Sequence, residues 1–291
     1  MGLGRTGIWT AHFERVPWSE GKDLAVEIEE LGYGAVWFPE AVGRDPFVAA
    51  TLLLDATTTI AAATGIASIY ARDPLAMKGA WHTIEAAFPE RFVLGLGVSH
   101  QPMVEGLRAT TYAPPVATMR AYLDGIDAAL FLASPPSTPP RRVLAALGPR
   151  MLALAAERAD GAHPYNVTPE HTKGAREVLG PGKLLAVEQK AVLTNDASEG
   201  RDVARAGLGV YLGLPNYVNN WKRLGFTDDD FGGGGSDRFL DAMVVSGDEA
   251  AIKARVDAHF AAGADHVCVQ PLGTDPVSTW RELAPALTEK S

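Results

Sequence analysis

The chain has 291 residues, 47% of them apolar and 21% charged, a globular composition at a length that suits one barrel-sized domain. A net charge of −9 without any basic block argues against a nucleic-acid partner, and the single cysteine, Cys268, excludes an internal disulfide. No apolar run approaches the roughly 20 residues that cross a bilayer, so no membrane partner is expected.

The amino terminus lacks the basic-then-apolar order of an export signal, and a cytoplasmic location is expected. Met1, Gly2 and Thr6 satisfy a loose acylation spacing, a pattern short enough to arise by accident. Along the chain, short apolar and β-branched runs alternate with longer stretches of helical period, the rhythm of βα units on a parallel sheet. Strands are predicted at residues 7–10, 35–38, 59–67, 92–96, 143–147, 161–163, 184–192 and 266–269. Eight is the number that closes a (β/α)8 TIM barrel whose interior is just filled by side chains. A doubly wound open sheet would carry a glycine-rich phosphate fingerprint after its first strand, whereas residues 10–15 hold no glycine.

Ser19 precedes a run with Leu24, Ile28 and Leu31 on one stripe, as an amphipathic barrel helix requires. Helix-to-strand turns ending in glycine are read at Gly32, Gly161 and Gly263. Residues 132–140, rich in proline and serine, read as a stiff exposed connector. Between the last two strands lie more residues than one crossover helix needs. A helical insertion over about residues 195–247 is therefore expected, within a single domain spanning residues 1–291. Its four glycines, 232–235, read either as the hinge of a lid or as an unordered surface loop. Asp228, Asp229 and Asp230 lack calcium-loop spacing and read as a helix start or a solvated face, so no metal is expected. Cys268 reads as a small buried apolar residue, and the tryptophans 37, 81, 221 and 280 as packing.

In a barrel of this kind chemistry gathers at the carboxyl ends of the strands. Those ends offer His12; Glu40; Ser68, Tyr70 and Arg72; Gly97, Val98, Ser99 and His100; Leu147, Gly148, Pro149 and Arg150; Tyr165 and Asn166; and Gln270. Glycines 95 and 97 would let a flat ring approach the backbone without a Cβ in the way. Pro149 suits the first position of a helix whose free amide groups, helped by Arg150, would attract a phosphate.

The run Thr64-Gly65-Ile66-Ala67-Ser68, continuing to Arg72-Asp73-Pro74, resembles the third-strand signature of the luciferase-like F420-dependent enzymes. Arg91 to His100, the Gly148-Pro149 turn, and the stretch from Tyr211 to Tyr217 followed by Trp221 extend the resemblance over most of the chain. The resemblance implies an F420-dependent oxidoreductase that transfers a hydride between the deazaflavin coenzyme and a small organic substrate. It further implies a cis peptide at Gly65–Ile66 supporting the ring, with Ala67, Ser68, Gly97, Val98 and Ser99 close by and Leu147 to Arg150 holding the phosphate. Relatives of this kind are often homodimers, so a homodimer is expected.

Glu40 matches the strand-two carboxylate that contacts the coenzyme in relatives, although a structural ion pair with Arg72 is an open alternative. His100 stands where relatives carry a strand-four acid, and an imidazole there can serve acid–base chemistry near neutral pH. His12, after strand one, is a further catalytic candidate, with loop capping as its alternative role. Ala41 replaces a histidine of the glucose-6-phosphate branch, and no matching lysine pair is present, which argues against a sugar phosphate. Two other functions remain open: an FMN-dependent monooxygenase fed by a separate reductase, and a barrel that binds a flavin-like ligand without catalysis.

Overall fold

The computed structural model describes residues 2–288; Met1 of the acylation spacing lies outside them. Among the described residues ten strands form in chain order: β1 (Thr6–Trp9), β2 (Ala35–Phe38), β3 (Ala61–Thr64), β4 (Ala67–Ser68), β5 (Phe92–Gly97), β6 (Arg141–Leu144), β7 (Gly161–Ala162), β8 (Leu184–Leu193), β9 (Val244–Gly247) and β10 (His266–Pro271). All pairings are parallel, and the ring closes because β8 pairs with β10 and β10 with β1. Taking β3 and β4 as one interrupted stave gives eight staves, the (β/α)8 barrel expected from the rhythm of the sequence. The small β9 is additional and pairs with the far end of β8 from Lys190 to Leu193.

Around the ring lie α1 (Trp18–Glu30), α2 (Pro46–Ala56), α3 (Pro74–Ala87), α4 (Gln101–Arg108), α5 (Pro115–Ala128), α6 (Pro149–Arg158) and α7 (Pro169–Leu179). They are followed by α8 (Ala197–Leu208), α9 (Pro215–Arg223), α10 (Asp228–Phe231), α11 (Asp237–Met243), α12 (Glu249–Ala261) and α13 (Pro276–Leu287). Proline opens many of them because its missing N–H would be unbonded at that position anyway. Asp45 and Asp73 cap α2 and α3 through their side chains. No helix among the described residues is long and apolar enough to cross a membrane.

The strands read as continuous apolar runs because both faces are covered. Trp9, Trp37, Ala61, Ala63, Val93, Val143, Ala186 and Cys268 pack together inside the ring. Alternate residues such as Ile8, Val36, Ala62, Leu94, Leu144 and Val187 join the larger core beneath the helices. Ala61 and Ala63, the inward-facing residues of β3, leave room for the large Trp37 indole, the volume matching that a narrow barrel demands.

Several local expectations shift. The predicted strand 59–67 is interrupted at Gly65–Ile66, and the predicted strand 143–147 runs instead from Arg141 to Leu144. α1 begins at Trp18 with Pro17 at its cap, so Ser19 lies within the first turn and is not the cap. Gly32 and Gly263 adopt φ of 90° and 103°, as helix-ending glycines do. Gly161 does not; it sits in β7, where a Cβ would overlap the Leu184 carbonyl of β8. Its role is close strand approach.

Residues 195–247 hold α8 to α11 and β9, with their own apolar cluster around Trp221, Phe239 and Leu240. The glycine run forms a short 3-10 turn between α10 and α11, packed against Arg205 of α8 and Leu240 of α11. Asp228 to Asp230 form the first turn of α10, where Asp230 completes a capping box with Thr227 and bonds Arg238.

Candidate active site

A cavity of about 900 Å³ opens at the carboxyl ends of the strands. Its floor and walls come from Trp9 at the end of β1, Glu40 after β2, Gly65 and Ile66 between β3 and β4, Gly97 in β5, and His163 after β7. Val210, Tyr211, Tyr217 and Arg223 of the insertion supply the opposite wall.

The Gly65–Ile66 bond is cis, as the family resemblance implied. Gly65 N donates to Phe38 O at 2.7 Å, and Glu40 N to Ile66 O at 3.3 Å, which ties the bulge to the end of β2. Gly95 and Gly97 have a different use from the one expected. A Cβ at Gly95 would overlap the Thr64 carbonyl, and one at Gly97 would lie 2.5 Å from the Ile66 side chain. These glycines make room first for the bulge itself.

Glu40 is engaged. Its carboxylate accepts from Arg72 Nη1 at 2.9 Å and Nη2 at 2.7 Å, and from Ser68 N at 2.8 Å. Arg108 stands 3.8 Å away, and Arg72 also bonds Asp45 at 3.0 Å. The structural ion pair with Arg72 is therefore present, and through Ser68 N it pins the strand after the bulge.

At the amino end of α6, Gly148 is the N-cap, Pro149 the first helical residue, and no side chain caps the helix. Arg150 lines the cavity here, and Arg223 of α9 brings Nη2 within 3.3 Å of where a Cβ on Gly148 would lie. Free amide groups and two guanidinium groups converge on one mouth of the cavity, a setting for an anion.

His100 lines the wall as the N-cap residue of α4, its ring 5.6 Å from that of Tyr217. Burial pulls its imidazole below the ordinary value of 6.5, against the opposing effect of a hydrogen bond to Asn216. It is thus neutral at pH 7 and able to accept a proton.

The floor is polar in an unusual way. His163 is 1% exposed; Nδ1 lies 2.9 Å from Ala186 O and so carries the proton, which leaves Nε2 as a bare acceptor with no partner. Burial above all, with His266 and Lys190 nearby, pulls His163 down to about 4 despite the Ala186 bond. Trp9 Nε1, also buried, is an N–H donor without a partner. A Cβ on Gly65 would lie 2.6 Å from Trp9 Nε1 and 3.1 Å from His163 Nε2, so only glycine lets the bulge pass directly over both buried atoms.

Of the residues expected from the sequence, the cavity wall unites Glu40, Gly65, Ile66, Gly97, Val98, Ser99, His100, Leu147, Gly148, Pro149 and Arg150. Ala67 and Ser68 lie behind the bulge in β4. His12 sits in a 3-10 turn away from the wall, its ring 6.0 Å from Trp280 and perpendicular to it. Gln270 forms a second row behind Tyr165 at 2.8 Å. Asn166 accepts from Trp221 Nε1 through its backbone carbonyl at 3.0 Å, which fastens the insertion to the barrel. Sequence reasoning passed over Trp9, His163 and Arg223. His163 ends a predicted strand and Trp9 stands one residue before the end of another, so a closer reading of the strand ends would have found them; nothing local marks Arg223.

The profile of the family described as luciferase-like monooxygenase matches residues 5–179. A Mycobacterium tuberculosis protein provisionally named a coenzyme F420-dependent oxidoreductase is 26% identical over 277 residues, covering 78% of each chain. Among solved structures, an F420-dependent secondary alcohol dehydrogenase superposes with a TM-score of 0.79 at 14% identity, covering 99% of this chain and 100% of that one. A type II Baeyer-Villiger monooxygenase component from Pseudomonas putida, in complex with FMN, superposes with a TM-score of 0.71 at 15% identity, covering 99% and 97%. A matching profile over more than half of the residues, on a closed parallel barrel, makes this chain a member of the luciferase-like monooxygenase family.

Proposed function

We propose that the protein is an oxidoreductase that binds coenzyme F420 and transfers a hydride between it and a small organic substrate. The observation that carries this reading is the cavity of about 900 Å³ over the Gly65–Ile66 bulge, bordered by the uncapped amino end of α6 with Arg150 and Arg223. A broad cavity lined by Trp9, Ile66, Val98 and Tyr217 fits a flat, flavin-like ring. The amino end of α6 with Arg150 and Arg223 fits the phosphate of the same ligand.

The coenzyme, when bound, supplies or takes up the hydride. The protein's residues do the rest. Glu40, held by Arg72, fixes the bulge that would support a flat ring. His100, neutral and near the insertion wall, accepts or returns the proton that accompanies the hydride. Tyr165, Tyr211 and Tyr217 surround the remaining space with aromatic faces, which suits a compact, largely apolar substrate and excludes water.

The test is a parallel titration of the protein with F420 and with FMN, followed by ligand or tryptophan fluorescence. F420 is expected to bind with quenching. Tight FMN binding without F420 binding would overturn the coenzyme assignment and favour a monooxygenase supplied with reduced FMN, detectable by oxygen consumption.

A further inference from the structure

Behind the aromatic wall lies a charged group that the proposed chemistry does not use. Lys190 of β8 is buried, 1% exposed in its side chain, and pairs at 3.1 Å with Glu188, whose other oxygen accepts from Asn166 N at 3.0 Å. The ammonium stands 3.6 Å from the centre of the Tyr165 ring and 5.3 Å from that of Tyr211. It also reaches the side-chain amide of Gln270 in β10, at 3.2 Å.

These contacts fix the direction of a hydrogen-bond chain. A protonated lysine has three donors and no acceptor, so the Gln270 atom facing it is the amide oxygen. That same oxygen lies 2.8 Å from the Tyr165 hydroxyl, which must therefore donate to it. A hydroxyl has one proton. Having given it to Gln270, Tyr165 can only accept from Tyr211, whose hydroxyl is 3.0 Å away. Tyr211 spends its proton in turn and has only lone pairs left to offer the cavity it lines.

We propose that Lys190 is a positioning residue whose charge sets the polarity of the Tyr165–Tyr211 pair, so that this wall accepts hydrogen bonds and selects a small molecule bearing a hydroxyl or amine over its carbonyl counterpart. The claim rests on the proposed function only in that a small organic molecule shares the cavity with the coenzyme. Without the ammonium, the Gln270 amide is free to turn and present its NH2 group. Tyr165 would then donate to Tyr211, and Tyr211 would become a donor to the cavity. Lys190 stays largely protonated at pH 7, because burial lowers it only to about 8 while Glu188 holds the charge.

The test uses cyclohexanol and cyclohexanone, which share a skeleton and differ in the donor, titrated against the full-length coenzyme-free protein by ligand-observed NMR. The alcohol is expected to bind about five-fold more tightly, the ratio worth one ordinary hydrogen bond. Tyr211→Phe should erase that preference. Removing Lys190 alone would strand a buried carboxylate, so the pair is neutralised together as Lys190→Met with Glu188→Gln, which should reverse the preference. Independently of affinity, with cyclohexanone filling the cavity, tyrosine Fermi-doublet ratios in Raman difference spectra against Tyr211→Phe should show Tyr211 as a donor only in the wild type and as both donor and acceptor in the neutralised pair. Equal affinities, a preference that survives Tyr211→Phe, no probe binding where F420 binds, or an unchanged Raman ratio would overturn the proposal. Loss of F420 binding with the alcohol preference intact would instead sink the coenzyme assignment.

Discussion

Lowering the pH from about 7.5 to about 5 should destabilise this protein by about 6 kcal/mol through three buried histidines. His163 and His266 are each pulled down by burial to about 4, and His259 to about 3, from an ordinary value of 6.5. His266 shows why. Its Nδ1 lies 2.9 Å from Gly4 O, while its Nε2 accepts from Trp37 Nε1 at 3.1 Å, so a second proton would face another N–H inside the barrel. At about pH 5 the unfolded imidazole is almost fully protonated, whereas the native one at about 4 is about one tenth protonated. That difference favours the unfolded state by about 2 kcal/mol per histidine. The sign is definite: each folded value lies below its unfolded one, so the stability is complete above about 6.5 and is lost as pH falls toward about 4. Depressed carboxylates confuse this window little, because a group such as Glu29, lowered to about 2, is already mostly ionised at this pH in both the folded and the unfolded chain. Urea unfolding at both pH values measures the loss, which approaches the whole stability of many domains. His266→Gln should reduce the pH-dependent part by about 2 kcal/mol. A total loss below about 2 kcal/mol, or an unchanged slope in that variant, would refute the reasoning.

Three further outcomes follow from the cavity. Gly65→Ala places a methyl 2.6 Å from Trp9 Nε1 and must displace the bulge or the indole beneath it, so coenzyme affinity in a fluorescence titration should fall more than about ten-fold, with about 1–3 kcal/mol lost in urea unfolding. Arg223→Ala removes a guanidinium beside the α6 amino end; coenzyme affinity should fall about ten-fold or more and lose part of its salt dependence, with the circular dichroism spectrum unchanged. His100 is held below 6.5 by burial, so turnover should decline as pH drops through that lowered value, and His100→Gln should lower the rate and remove this acidic limb from the pH–rate profile.

The barrel was legible because its cues are local. A strand buried on both faces must be apolar throughout, as in Ala35–Phe38 and Phe92–Gly97, and a helix that stops before a strand places glycine at positive φ, as at Gly32 and Gly263. The bulge was legible through its resemblance to known enzymes rather than through any rule of spacing. Gly161 shows where local reading ends, since the same letter serves a left-handed turn in one place and close strand contact in another, and only the neighbouring strand distinguishes them.

Chain order alone thus determined eight alternating units, the rim on which chemistry gathers, and the segment that resembles a coenzyme support. The tertiary structure decided which partners each polar group has. Glu40 finds Arg72 across 32 positions, Lys190 meets Gln270 across 80, and Trp9 and His163 remain unpartnered on one floor. The reason is physical: apolar pattern and backbone preference are properties of neighbours in sequence. The direction of a hydrogen bond and the cost of burying a charge depend instead on whichever distant groups the closed ring brings within about 3 Å.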